Sequence, residues 1–189
     1  DWVMKHMCRT IEAWYKVRNL NKKAPYFQLD VEAADTPQVK HIKEGNFYFA
    51  FDPRAKAGTL LDVIVDAGMV FGQATDYLVP ERFATEASFA GGYQQQTDNR
   101  TPCAMTLVKA ALKPGHVKEV VSLTGFIHSV EELNDTVIKV TKRGFVEEKA
   151  LRNQAIVEEI KNLFFTNSSS REFNGYSGQT FLDNVMRGG

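Results

Sequence analysis

Val117-Lys-Glu-Val-Val-Ser-Leu-Thr-Gly-Phe-Ile127, continued by His128-Ser-Val-Glu-Glu132, is where the patterning of this 189-residue chain changes. Upstream, Cys103 to Leu112 and Val117 to Ile127 are two β-rich runs joined by Lys113-Pro-Gly-His116, a Pro-Gly turn that predicts a hairpin. Downstream, Ser129 followed three residues later by Glu132 is a capping box that opens a helix. Strands first and helices after place a boundary near residue 128. The fold class expected is mixed, antiparallel β and then α.

Working back toward the N-terminus, Phe27 to Val31 alternates as a half-buried strand does, and Asn46-Phe-Tyr-Phe-Ala-Phe-Asp52 is aromatic enough for a well-buried one. Leu60 to Asp66 and Gly68 to Gly72 read as two more strands, and Pro80 to Glu86 as one or two helical turns. Residues 1–18 read as an amphipathic helix, because Met4, Met7, Cys8, Ile11, Trp14 and Tyr15 recur at helical spacing; a polar loop follows to residue 24. Working forward, Gly144 separates the capped helix from a longer one. Phe145, Val146, Ala150, Ile156, Val157, Ile160, Leu163 and Phe164 share one arc of it. Asn167-Ser-Ser-Ser170 then caps a closing helix. The expected division is 1–24, 25–127, 128–166 and 167–189.

Composition narrows the function. Hydrophobic residues make up 43% and charged residues 24%, the balance of a folded domain rather than a disordered chain. Lys+Arg and Asp+Glu are both 23, so no basic field exists to hold nucleic acid. No apolar run approaches the roughly 20 residues of a membrane-spanning helix. Cys8 and Cys103 read as buried thiols, which fits a reducing, cytoplasmic setting. His6, His41, His116 and His128 stand apart, so no metal site is expected. Phosphate-loop, dinucleotide and serine-elbow motifs are missing from the sequence. Asp62 and Asp66 would share one face of a strand, more often an outer face than a catalytic one. The loops Asp35-Thr36-Pro37 and Thr97-Asp-Asn-Arg-Thr-Pro102 carry short polar groups that either meet sugar hydroxyls or satisfy their own turns.

The closing helix offers the most distinctive chemistry. At about 3.6 residues per turn, Phe181, Leu182, Val185 and Met186 face inward. Tyr176, Thr180, Asp183, Asn184 and Arg187 gather opposite, a phenol, hydroxyl, carboxylate, amide and guanidinium suited to a sugar or a phosphate, with Arg187 one turn from Asp183 and within ion-pair reach of it. An ordinary solvated face ending at a Gly-Gly helix stop accounts for the same spacing.

Phe181-Leu-Asp-Asn-Val-Met-Arg-Gly-Gly189 resembles the Leu-Asp-Asn-Val-Leu-Arg-Gly-Gly segment of glycoside phosphorylases related to cellobiose phosphorylase and to the β-1,3-glucan phosphorylases. Pro25 to Pro37, Val70-Phe-Gly-Gln-Ala-Thr-Asp76, Thr97 to Cys103 and Lys113-Pro-Gly115 are similar to the same family less sharply. The resemblance implies an antiparallel β-sandwich portion over 25–127, a helical linker over 128–166, and over 167–189 the first helix of an (α/α)6 catalytic barrel. It implies an inverting enzyme that cleaves β-glucosides with inorganic phosphate, as co-substrate, to give α-glucose 1-phosphate. Substrate-binding roles would fall to Asp183, Asn184 and Arg187. No catalytic residue is expected here, because the general acid of that family lies further along the barrel. The chain starts at Asp1 and stops within the motif, so it reads as an inactive fragment of a longer polypeptide. Its partners on this reading are a β-glucan oligosaccharide, phosphate and the remainder of the same polypeptide, with a homodimer allowed. No cofactor, metal, nucleic acid or membrane is expected. A non-catalytic carbohydrate-binding or structural β-sandwich domain is the competing reading.

Overall fold

The computed structural model describes residues 15–29, 43–74, 76–85, 94–98 and 100–188. The chain divides into two compact units, 1–142 and 143–189. The first is built on an antiparallel sheet, and the helices follow the strands. Among the described residues there are five α-helices.

In the first unit the strands are β1 (Tyr15–Arg18), β2 (Tyr26–Leu29), β3 (Gly45–Phe51) and β6 (Val121–Ile127). They pair in the order β1-β2-β3-β6, all antiparallel. The expected helix over 1–18 falls mostly outside the described residues, but its last four residues form β1. The reason is local: Lys16 and Val17 sit opposite Gln28 and Phe27, and the Val17 N–H also reaches the Thr97 carbonyl at 2.8 Å. Backbone bonds on both sides hold that segment extended.

The core follows from β3. Phe47, Phe49 and Phe51 alternate onto one face and are buried, with neighbouring ring centroids 5.8 and 6.2 Å apart. Across the ladder Gly125 faces Phe47, and a Cβ there would come within 3.0 Å of the Phe47 ring. Gly45 is tighter still. A Cβ would lie 2.5 Å from the Phe27 carbonyl oxygen, so β2 and β3 close only around glycine. On the alternate side of β3, Asn46 is exposed while Tyr48 is half-covered and Ala50 buried. Val17, Val63 and Val65 form a buried cluster with Phe27 and Tyr48 packed against it.

A second, two-stranded sheet joins β4 (Val63–Ile64) to β5 (Met105–Thr106). The runs expected as strands over Leu60–Asp66 and Cys103–Leu112 thus shrink to short pairs. Gly68–Phe71, expected as a strand, is helix α1, and α2 is Glu81–Thr85. Asp66 caused the first change: its Oδ1 accepts the Gly68 N–H at 3.0 Å and turns the chain. The Lys113-Pro-Gly turn forms, with the His116 N–H on the Lys113 carbonyl at 3.0 Å, but residues 108–120 are exposed on both arms. Their β-propensity finds no surface to pack on within the unit, and the expected hairpin ladder is not formed: Met105–Thr106 pairs with β4 and Val121–Ile127 with β3.

Helix α3 (Val130–Val140) begins as the capping box demands. The Glu132 N–H donates to Ser129 Oγ at 3.1 Å, while Glu132 Oε2 accepts the His128 N–H at 3.2 Å. Its apolar residues Leu133, Val137 and Val140 are buried. Polar ties fix its position: Asn19 Nδ2 donates to Asn134 Oδ1 at 3.2 Å, and Thr141 Oγ1 accepts the Gly58 N–H at 2.7 Å.

The second unit is a helix pair, α4 (Phe145–Leu163) and α5 (Arg171–Met186). Ser170 Oγ caps α5 by accepting the Phe173 N–H at 3.2 Å.

Candidate functional site

Two places hold polar side chains in a defined arrangement, one in each unit. On α5 the Asp183–Arg187 pair predicted from its spacing is present, with Arg187 Nη2 3.0 Å from Asp183 Oδ2. Both side chains face solvent: 53% of Asp183 and 76% of Arg187 is exposed. Asn184 and Tyr176 are exposed on the same helix. Thr180 turns back on its own helix, donating to the Tyr176 carbonyl at 2.9 Å. Arg187 is the C-cap, and Gly188 after it has φ +83°, the left-handed conformation that ends helices with glycine.

The inward face of α5 is rotated from the one read in the sequence. Leu182 is buried, and Phe181 stacks on Phe164 at 5.5 Å between centroids. Val185 and Met186 are exposed, and the buried partners of Leu182 on this helix are Ser177 and Gly178. Gly178 lies on the side that meets α4, where a Cβ would make an ordinary contact of 3.4 Å with the Lys161 carbonyl oxygen. Asn174 and Ser177 complete that seam by bonding Thr166 Oγ1 at 2.9 and 3.1 Å.

In the first unit, the turn after β4 and the loop before β5 enclose a cleft of about 300 Å3. Asp66 lies at its base with 13% of its side chain exposed. Oδ1 meets the Gly68 N–H at 3.0 Å and Arg100 Nη1 at 3.5 Å, and Oδ2 accepts the Gln96 N–H at 3.3 Å. Asp62, its expected companion, points away and pairs with Lys23 at 2.8 Å. Tyr77 and Gln73 form the opposite rim. Tyr77 holds φ +55°, with its ring edge-on to Phe71 at 5.1 Å. The cleft therefore joins two of the segments singled out in the sequence, Val70 to Asp76 and Thr97 to Cys103. Asn99 within the second, and the loop Asp35-Thr36-Pro37, lie outside the described residues.

Two contributors had no sequence signal. Gln95 acts as an edge strand made of one side chain: Oε1 accepts the Val65 N–H at 2.6 Å and Nε2 donates to the Val63 carbonyl at 2.9 Å. It fastens the loop beside the cleft to β4. Tyr77 likewise adopts a positive φ that a bulky side chain rarely takes, and nothing in its neighbours announces this.

Cys103, next to the cleft, is no nucleophile. Burial first, and the Asp66 charge second, push its thiol up to about 11, so it stays protonated at neutral pH. Among the described residues no three His, Cys, Asp or Glu side chains group as a metal site. No helix among them is long and apolar enough to cross a membrane. Comparison with protein-family models, curated proteins and solved structures finds no match to the chain.

Proposed function

We propose that the chain is part of an inverting glycoside phosphorylase acting on β-glucosides of the β-1,3-glucan or cellobiose type. On this reading the sheet unit belongs to a β-sandwich, the helices after residue 128 form a linker, and α5 is the first helix of an (α/α)6 barrel. Inorganic phosphate attacks the anomeric carbon as the glycosidic C–O bond breaks; the shortened sugar leaves with a proton from the general acid, and α-glucose 1-phosphate is the other product. The general acid and the phosphate cradle come from parts of the barrel beyond these residues, so the 189-residue chain alone turns nothing over.

The observation that carries the proposal is the exposed Asp183–Arg187 pair within the Phe181 to Gly189 segment that resembles the family's motif. The pair is an exposed i,i+4 pair, so its remaining donors and acceptors are open to a ligand, and the resemblance of the segment is what singles it out. The helix end sharpens the ligand. The last carbonyls of α5 carry partial negative charge, which disfavours a phosphate beside Arg187. A sugar diol fits better, one hydroxyl donating to Asp183 and another accepting from the guanidinium.

Arg187→Lys in the complete polypeptide tests the assignment. Lysine keeps the charge but cannot supply the planar pair of donors. The expected loss is about ten- to a hundredfold in kcat/KM for the glucan, from a charge-assisted hydrogen bond worth roughly 1.5–3 kcal/mol. The apparent KM for phosphate should stay the same. Wild-type kinetics combined with a lower melting temperature would make Arg187 a helix-end tether and defeat the assignment.

A further inference from the structure

We propose that the cleft at Asp66, Tyr77 and Arg100 binds one neutral sugar ring of hexose size. It involves none of Asp183, Asn184 and Arg187, so it stands or falls separately from the phosphorolysis reading.

Size and charge select the ligand together. A cleft of about 300 Å3 is at the lower end of ligand pockets, enough for one ring and not for an extended chain. Its lining holds one carboxylate and one guanidinium, already paired at 3.5 Å. An anion would meet Asp66 and a cation would meet Arg100, so the pair suits a ligand without net charge, such as a sugar. The pair is also pre-oriented. Asp66 is fixed by two backbone N–H groups; Oδ1 is also taken by Arg100, so the remaining acceptor capacity lies on Oδ2. Arg100 spends one nitrogen on Asp66 and its side chain is half-exposed on the lining of the cleft, so further N–H donors are accessible there. This is a donor and an acceptor side by side, the arrangement that reads neighbouring hydroxyls.

Shape agrees. A Cβ on Gly68 would come 3.2 Å from both Asp66 Oδ1 and Arg100 Nη1, so glycine at that position keeps the base of the cleft open. Tyr77 offers an aromatic surface on the far rim. Phe71 meets its ring at 65° and 5.1 Å, while 58% of the residue remains exposed. The apolar C–H face of a pyranose packs on such a ring while its hydroxyls turn to the charged pair. Gln73 and Thr101 add amide and hydroxyl groups at the edge.

The test is a titration of the full 189-residue chain with methyl β-D-glucopyranoside, followed by amide chemical shifts, and a parallel titration with inorganic phosphate at matched ionic strength. Saturable shifts with the glucoside, centred on Gly68, Gln73, Tyr77 and Thr101, are expected. Arg100→Gln and Tyr77→Asn should each weaken binding about tenfold or more at unchanged melting temperature. Asparagine is chosen because it tolerates a positive φ. If Arg100→Gln unfolds, Tyr77→Asn alone carries the test. Arg187→Lys should leave the glucoside titration unchanged. The proposal is overturned by no saturable response to the glucoside, by a response to phosphate alone, or by shifts that survive both cleft variants. Shifts that disappear in Arg187→Lys would assign the sugar to α5 instead.

Discussion

The sheet unit encloses Tyr26, Phe49 and Leu133 completely and adds a second cluster around Val17, Val63 and Val65. The helix pair after residue 142 buries only Ser177, Gly178 and Leu182 on α5 and no residue on α4. Leu163, Phe165, Tyr176 and Met186 of the pair are exposed. The sheet unit sets Val17, Val63 and Val65 against Tyr48 of β3 and buries Phe47, Phe49 and Phe51 on the alternate side, although Leu78, Val117 and Phe126 stay exposed. Two helices can cover only one stripe of each other. The Ser177–Gly178 seam fixes which stripe, and the aromatic remainder is left outside.

Truncation should separate the regions most strongly. Phe49→Ala removes a fully buried ring between Phe47 and Phe51, and is expected to cost about 3–5 kcal/mol. Leu163→Ala, at a residue 71% exposed, should change stability by less than about 0.5 kcal/mol. Denaturant melts of both variants give the comparison directly. A Leu163→Ala cost approaching that of Phe49→Ala would mean that the helix pair is covered in solution, and the contrast drawn above would collapse.

An intermediate effect is expected at Gly178. The built Cβ lies 3.4 Å from the Lys161 carbonyl, an ordinary contact, so Gly178→Ala should be neutral or should gain a few tenths of a kcal/mol from helix propensity. Gly178→Leu must force α4 aside and should cost about 1–3 kcal/mol. Gly175 faces open space, and Gly175→Ala should stabilise by about 1 kcal/mol. Helix loss followed by circular dichroism on the three variants would locate the seam. Equal behaviour of Gly178→Leu and Gly175→Ala would mean that the helices do not meet there.

Where a signal was carried by adjacent residues, the sequence was sufficient. Ser129 and Glu132 predicted the start of α3, Ser170 that of α5, and the Asp183–Arg187 spacing its ion pair. Asn46–Asp52 predicted β3 because an aromatic residue at every second position has one efficient burial. Errors arose where a distant partner decides. Tyr15 continued a helical stripe, but the Phe27 strand and the Thr97 carbonyl claim that backbone. Gly68–Gly72 had strand composition, and the Asp66 carboxylate converts it to a turn of helix. Val185 and Met186 had the right period, but α4 packs on the side of α5 that carries Ser177, Gly178 and Leu182. The cleft was legible only as two polar segments. Their meeting depends on Gln95 and on the backbone of Tyr77, and neither leaves a pattern.

The smallest expected effect concerns the exposed hairpin arms over 108–120 and their tie to the sheet. Lys118 Nζ donates to Asp52 Oδ2 just past the end of β3, and the Arg54 N–H donates to Asp52 Oδ1 at 2.8 Å. The Lys118 bond first and the Arg54 N–H second hold the Asp52 carboxyl below its ordinary value of 3.8. A depressed folded-state value means that the folded chain binds a proton less readily than the unfolded one. The tie therefore contributes at pH above about 4 and is lost as pH falls through the lower, folded-state value. Lys118→Met should remove the larger cause, and the Arg54 N–H should retain the smaller one. At neutral pH the melting temperature should barely move, as is usual for a solvent-exposed pair. Between about pH 5 and pH 2 the wild-type melting temperature should fall more steeply than that of the variant. Carboxyl NMR should show the Asp52 titration shifting upward, toward but not fully to its ordinary position. Identical acid limbs and an unmoved Asp52 titration would show that residues 108–120 are not tethered to the end of β3 through Lys118.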